Sequence, residues 1–268
     1  MDYQKQPVRI SHLASAAGMP AVAPAGVAAP ATVPVPSRAV LSSPAPASPR
    51  RRRREPSPQP VYTVGEEIAN SVTHGIGILL SIAGLVLLIV RAASSSHAFA
   101  MLAAIVFGSS LILEYTMSTL YHAFPQGRVK RVFRTFDHSC IFILIAGSYT
   151  PFLMISLLPY GGAWMMVLIW ALALVGILFA TIMRDRRPGW LQPALCAAMG
   201  WFVIVRLPAL VQALSAPCLA LLVAGGLSYT VGLIFYALKR IPYMHSIWHL
   251  WVLGGSVCQF LAVLLYVL

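Results

Sequence analysis

Residues 163–182 read AWMMVLIWALALVGILFATI, an apolar run without a charged side chain. An α-helix of about 20 such residues is long enough to cross the hydrocarbon core of a bilayer. Six further runs of similar length occur after Pro60. We place the seven runs at about residues 69–90, 98–121, 138–158, 163–182, 192–211, 217–238 and 246–267. The sequence therefore predicts an all-α, seven-transmembrane-helix integral membrane protein of the cell membrane.

The amino-acid composition also indicates lipid as the main solvent. Of the 268 residues, 59% are hydrophobic and 10% are charged, whereas about a quarter of the residues of a soluble domain are charged. The net charge of +12 would suit a nucleic-acid-binding protein, but eight of the 19 basic residues lie in the first 54 residues. Most of the others lie between apolar runs, which indicates membrane topology. We therefore expect membrane lipids as partners and no nucleic acid.

The chain divides into two parts at about residue 60. Residues 1–60 are rich in Ala, Pro and Ser and end in a run of arginines from Arg50 to Arg54. Such a segment buries too little apolar surface to offset its ordering entropy, so we predict a disordered tail. We expect the arginine run to bind anionic lipid head groups. Residues 61–268 are predicted to form the membrane domain.

Basic residues between the spans predict the orientation. The second, fourth and sixth connections are basic, the third and fifth carry no basic residue, and the first carries only Arg91. The basic residues of the three connections are Arg128, Lys130, Arg131, Arg134, Arg184, Arg186, Arg187, Lys239 and Arg240. Because basic connections stay on the cytoplasmic side, we predict a cytoplasmic amino terminus and a carboxyl terminus outside.

Ionisable side chains within a membrane are costly and usually functional, and here they gather at one depth. In the predicted orientation they lie at the cytoplasmic ends of four spans. They are Glu67, Asn70 and His74 in the first span, Ser118 and His122 in the second, Asp137 and His138 in the third, and His245 and His249 in the seventh. We therefore predict one functional site at this end of the helices.

Three of these histidines predict a zinc site. His245 and His249 are four residues apart, so their side chains share a helix face and can hold one ion. With His122 they provide three imidazoles, the ligand number of catalytic zinc sites that keep an open position. Asp137 would act as general base or hold a ligand imidazole, and Ser118 would donate a hydrogen bond to a developing oxyanion.

Each element of this site also has a simpler interpretation. Two interfacial histidines that cap a helix would explain His245 and His249, and their motif lacks the Glu of zincin helices. The shared depth of the polar residues is what favours a metal. For Glu114, about one turn from Ser118, three interpretations stay open: a neutral carboxyl, a pair with Arg206, or the lining of a polar cavity. Arg206 is expected to extend toward the outer interface.

Five stretches of the sequence resemble the hemolysin III family. They are EEIANSVTHG at 66–75, STLYH at 118–122, Asp137 with His138, GSYTPF at 147–152, and PYMHSIWH at 242–249. That family belongs with the progestin and adipoQ receptors (PAQR) and, more distantly, with the alkaline ceramidases. The resemblance covers about residues 62–268, so the tail is outside it.

The resemblance implies a seven-helix fold with a cytoplasmic amino terminus and a zinc ion held by His122, His245 and His249. It also implies that Asp137 and Ser118 lie beside the metal. Two positions depart from what is expected of bacterial members, because Met244 and Gln259 stand where histidines often occur. Neither is an expected ligand, so these departures affect only a proton relay through them.

Three functions follow as hypotheses. The first is a zinc-dependent hydrolase that cleaves an amide or ester bond of a membrane lipid. The second is a non-enzymatic sensor or regulator of membrane state in which zinc is structural. The third is pore formation and cytolysis, as the family name suggests. We rank the third last, because the chain shows no secretion signal and no obvious amphipathic pore strand.

Overall fold

The computed structural model describes residues 62–183 and 188–268. The α-helices in these ranges are α1 (Val64–Ala93), α2 (Ala100–Ala123), α3 (Arg128–Pro151), α4 (Gly162–Met183), α5 (Leu191–Gly200), α6 (Leu207–Ala213), α7 (Ala216–Ala237) and α8 (Met244–Tyr266). Seven helical segments of the described chain are long and apolar enough to cross a membrane, with α5 and α6 counted as one. The predicted all-α, seven-span fold is therefore confirmed.

Some predictions concern residues outside the described ranges. They are the disordered tail at 1–60, the arginine run from Arg50 to Arg54, and the basic residues Arg184, Arg186 and Arg187. The orientation of the termini relative to the cytoplasm stays a prediction. The structure does show that the polar ends of the first, second, third and seventh spans meet at one end of the bundle, because Glu67 contacts His122 and Lys130 and the ring of His122 lies near that of His249.

The helices pack mainly against their neighbours in sequence, and α8 closes the arrangement by packing against α1. Large apolar side chains such as Val86 and Val167 remain exposed on the outer surface, as expected of helices that face lipid. Small residues allow close approach inside. At Gly77 a Cβ atom would lie 2.8 Å from Cδ1 of Tyr115, so α1 and α2 depend on glycine at this contact.

Two helices begin earlier than their apolar runs predict. The helix α3 begins at Arg128 rather than at residue 138, so four basic residues assigned to a connection lie on its first turns. The prediction was wrong because an apolar run marks only the part of a helix inside the hydrocarbon core. The helix α1 begins at Val64 rather than at residue 69, where Thr63 and Glu66 form a capping box.

The fifth span is interrupted near its middle. The helix α5 ends at Gly200, and a 3-10 segment, Phe202–Arg206, precedes α6. The hydroxyl of Tyr149 accepts a hydrogen bond from the backbone N–H of Val203 at 2.9 Å. The single hydrogen of the same hydroxyl is shared between the carbonyl oxygens of Met199 and Gly200, which lie 2.9 and 2.8 Å from the hydroxyl oxygen. Because backbone groups in lipid need an internal partner, Tyr149 of the GSYTPF stretch stabilises this break.

Candidate metal centre

Three imidazoles meet where α2 ends and α8 begins. One nitrogen atom of each of His122, His245 and His249 lies within 4.8 Å of the other two. The side chains of His122 and His249 are 2% exposed, and His245 is partly buried. The ring centroid of His122 lies 5.2 Å from each of the other two centroids. This group could hold a metal ion, and it is the set that the sequence singled out.

The carboxylate of Glu67 orients His122. Nδ1 of His122 lies 2.7 Å from Oε2 of Glu67, and a carboxylate accepts hydrogen bonds but cannot donate them. The imidazole proton therefore resides on Nδ1, which leaves the lone pair of Nε2 available. Nε2 is buried and has no hydrogen-bond partner among the described residues, as expected of a ligand atom.

Lys130 holds Glu67 from the other side. Its Nζ lies 2.7 Å from Oε1 of Glu67 and donates hydrogen bonds of 3.0 Å to the carbonyl oxygens of Tyr121 and Phe124. A cation at the carboxyl end of α2 also interacts favourably with the helix dipole. In the sequence, Lys130 served only as one of the basic residues that predict membrane orientation. Nothing in the sequence distinguishes it from its exposed neighbour Arg131.

His249 is oriented by α1. Its Nδ1 lies 3.2 Å from the carbonyl oxygen of Asn70 and 3.1 Å from Oγ1 of Thr73. Since the carbonyl can only accept, Nδ1 carries the proton and Nε2 keeps its lone pair. The Asn70 side chain in turn accepts a hydrogen bond of 2.6 Å from Ser246 on α8. The predicted cluster residue Asn70 therefore acts as a link between α1 and α8.

His245 has a different environment. Its Nδ1 is buried without a hydrogen-bond partner in the described chain. The ring of Tyr62 stacks on His245 with centroids 5.1 Å apart and planes at 22°. Burial raises the pKa of the Tyr62 phenol, with a smaller contribution from Tyr121, so the stacked ring is uncharged. Tyr62 precedes the first span and was not predicted to belong to the site.

Glu66 fixes the start of α8 relative to α1. Its Oε2 accepts a hydrogen bond from the Thr63 N–H at 2.9 Å, and its Oε1 accepts one from the Tyr243 N–H at 3.1 Å. Tyr243 precedes α8 with a left-handed φ of 62°. The sequence does carry a signal for half of this arrangement, because Thr63 and Glu66 match the T-x-x-E capping box.

These environments fit a metal ion with nitrogen ligands. His122 and His245 each present a buried nitrogen without a partner, and an unpaired buried polar atom destabilises a fold. A metal ion would relieve this cost at both atoms. Metal-binding histidines also usually donate their second N–H to a carboxylate or a carbonyl group, as His122 and His249 do.

Asp137 and Ser118 lie on the wall of a cavity of about 70 Å³ that His74 and His249 also line. We call it the polar cavity. The Ser118 hydroxyl donates a hydrogen bond to the Asp137 carboxylate. The ring of His74 stacks on that of His249 with centroids 3.6 Å apart. The candidate catalytic pair and one candidate ligand therefore face the same space.

The structure tests two of the three interpretations of Glu114. Its side chain lies on the wall of the polar cavity, whereas the guanidinium of Arg206 donates a hydrogen bond to the carbonyl oxygen of Tyr160 in the turn between α3 and α4. A Glu114–Arg206 pair is therefore wrong, and the cavity-lining interpretation is confirmed.

A larger apolar cavity of about 210 Å³ adjoins the polar cavity. It lies between α3, the interrupted fifth span, α7 and α8. The walls of both cavities share Ile141, Cys196, Leu233, Trp248 and Val252. Gln259, one of the two departures noted in the sequence, lies on the wall of the apolar cavity. No pattern in the sequence indicated this space, because its wall residues come from four separate spans.

Comparisons with known proteins cover the segment that contains these residues. The profile of the family described as Haemolysin-III related matches residues 62–260. A Hemolysin-3 homolog of Bacillus subtilis (strain 168) is 44% identical over 206 residues, which is 77% of this chain and 96% of the relative. Hemolysin-3 of Bacillus cereus is 45% identical over 205 residues, or 76% and 93%. Human Monocyte to macrophage differentiation factor is 27% identical over 212 residues, or 76% and 85%.

Proposed function

The chain belongs to the haemolysin-III related family, and we propose that it is a zinc-dependent hydrolase that cleaves an amide or ester bond of a membrane lipid. One observation carries this proposal. A three-histidine group lies beside a cavity lined by Asp137 and Ser118, and that cavity adjoins an apolar one. Zinc would be held by His122, His245 and His249.

The proposed chemistry divides between the metal and the side chains. A zinc ion held by the three histidines would supply Lewis-acid chemistry, which activates water and polarises a carbonyl oxygen. Asp137 accepts a proton from the attacking water and returns it to the leaving nitrogen or oxygen, so that water and lipid yield a fatty acid and an amine or alcohol. Ser118 orients Asp137 and can turn its single hydroxyl hydrogen toward the developing oxyanion.

The surroundings of the site support a lipid as substrate. The adjoining cavity of about 210 Å³ is lined mainly by apolar side chains from helices that lie within the membrane. Such a cavity accommodates an alkyl chain and excludes water from the polar end. A site at this end of the spans, within one leaflet, can receive a lipid directly from the bilayer.

A second candidate function is favoured by one specific observation. The histidine group joins α2 to α8, and Glu67 of α1 contacts both His122 and Lys130 of α3. A metal here would hold four helices together, which is what a structural zinc in a sensor or regulator of membrane state would do. The names of two relatives contain the word hemolysin, so the experiment below also tests for cytolysis.

The experiment compares wild-type protein with Asp137→Asn, both purified with measured zinc content. Each is incubated with a panel of dodecanoyl amides and esters, and released dodecanoate is quantified by mass spectrometry. We expect release by the wild type and a loss of about 100-fold or more in Asp137→Asn with zinc retained. No release by zinc-loaded wild type would refute the hydrolase. Release of haemoglobin from erythrocytes by added protein would instead support cytolysis.

A further inference from the structure

Two buried residues on the wall of the polar cavity have side-chain atoms without a hydrogen-bond partner in the described chain. Oε2 of Glu114 and both ring nitrogens of His74 have no hydrogen-bond partner among the described residues. The two side chains are 4% and 3% exposed. A buried carboxyl oxygen without a partner destabilises a fold, so Oε2 of Glu114 at this position needs an explanation.

The position of Glu114 separates it from the candidate metal ligands. On α2 it lies one turn before Ser118, which is about 6 Å along the helix axis. His122 lies one turn after Ser118, so Glu114 and His122 are two turns apart on α2. Glu114 therefore lines the part of the polar cavity that is further from His122. A ligand whose carbonyl group lies at the histidines could therefore place a second polar group, a few bonds away from that carbonyl, beside Glu114.

We propose that Glu114, with His74 on the wall of the same cavity, binds a hydrogen-bond donor of the lipid. The donor is a hydroxyl or amide N–H close to the scissile carbonyl, and the alkyl chain of the same lipid occupies the apolar cavity. The inference rests on the proposed function for the scissile bond only. It makes Glu114 a specificity residue that favours lipids with a donor over plain esters, which would leave its Oε2 unpaired in the complex.

The ligand chemistry follows from the atoms that need partners. An unpaired carboxyl oxygen is satisfied by an O–H or N–H group, and an imidazole can donate from one nitrogen while it accepts at the other. A lipid ester without such groups offers neither, so its binding would retain the desolvation cost of Glu114. Sites built to bind a substrate donor reject analogues that lack it for this reason.

The test uses two probes of similar length, N-dodecanoylethanolamine and 2-methoxyethyl dodecanoate, of which only the first carries donors. Binding to purified wild type, Glu114→Leu and Ser110→Ala is followed by tryptophan fluorescence, since Trp248 lines both cavities. Ser110 is a buried control on the same helix whose hydroxyl already donates to the carbonyl oxygen of Phe107. Released dodecanoate is measured in the same samples, so recognition and hydrolysis are scored separately.

We expect wild type and Ser110→Ala to prefer the ethanolamide by about tenfold or more, and Glu114→Leu to bind both probes about equally. Glu114→Leu should also unfold at a higher temperature than the wild type, since it removes a buried carboxyl oxygen that has no partner. A wild type without the preference, or Glu114→Leu that keeps it, would overturn the inference. If Glu114→Leu loses the preference and the wild type releases no dodecanoate, the inference is supported and the hydrolase is refuted. If the wild type hydrolyses a probe and Glu114→Leu keeps the preference, the hydrolase is supported and the inference is refuted.

Discussion

Nδ1 of His122 lies 2.7 Å from Oε2 of Glu67, so a carboxylate at the start of α1 sets the proton position on an imidazole at the end of α2. The second oxygen of the same carboxylate lies 2.7 Å from Nζ of Lys130. Glu67 is thereby held in place by a cation from α3. The geometry of the candidate metal centre consequently depends on three helices besides α8.

Glu67→Gln should weaken zinc binding by about 10–100-fold, the usual effect of removing a carboxylate that orients a ligand histidine. Glutamine keeps the length of the side chain, but loses the charge that pairs with Lys130. Zinc affinity is measured by competition with a chelating dye. His97→Ala is the control, because His97 is exposed in the connection between α1 and α2, and the zinc affinity of this variant should equal that of the wild type. Equal affinities for all three proteins would contradict the proposed role of Glu67.

Ser118→Ala separates a catalytic from a structural site. We expect hydrolysis of a lipid amide to fall by about 100-fold, comparable to removal of an oxyanion donor. Zinc content should not change, since the Ser118 hydroxyl donates to Asp137 and not to a histidine. The rate and the metal content are measured on the same preparation. Full activity in Ser118→Ala would exclude the role assigned to this hydroxyl, and loss of zinc would indicate a structural role.

Tyr149→Phe should destabilise the fold without an effect on zinc binding. The variant loses the hydroxyl that serves the backbone groups of Met199, Gly200 and Val203. An unsatisfied buried backbone group costs about 1–3 kcal/mol. The unfolding midpoint in detergent measures this, with Tyr160→Phe at the partly exposed turn before α4 as control. Equal midpoints for wild type and Tyr149→Phe would mean that water, and not Tyr149, satisfies the break.

Removal of the metal should also lower thermal stability. A ligand present at about 100 times its dissociation constant stabilises the folded state by about 2.7 kcal/mol. For a chain of this size, a chelator should then lower the unfolding midpoint by about 5–10 °C. The variant His245→Ala/His249→Ala should show no shift with the same chelator. A shift of the same size in that variant would place the metal elsewhere.

The sequence predicted most of the fold because hydropathy and loop charge report directly on the membrane. Apolar length identified seven spans, and the alternation of basic connections placed Glu67, His122, Asp137 and His249 at one end although they are far apart in the chain. Helix ends were less well predicted. The first turn of α3, which carries Lys130, is basic. Apolar length alone therefore could not show that this turn belongs to the helix.

The rest of the site depends on three-dimensional packing. The Glu67–Lys130 contact and the stacking of Tyr62 on His245 join residues that no periodicity relates. The interruption of the fifth span at Gly200 is likewise decided by a distant side chain, Tyr149. Glu114 combines both cases. Its position within an apolar span marked it as unusual in the sequence, but the cavity that it lines is formed by helices that only folding brings together.

The proposed function depends on a bound zinc ion, and elemental analysis tests the presence of that ion most directly. Wild type, His245→Ala/His249→Ala and His97→Ala are purified in detergent and their metal content is measured per chain. His97 is exposed in the connection between α1 and α2 and serves as the control. We predict about one zinc per chain in wild type and His97→Ala, and none in the double variant. Folded wild type without zinc, or a double variant that retains it, would contradict the account.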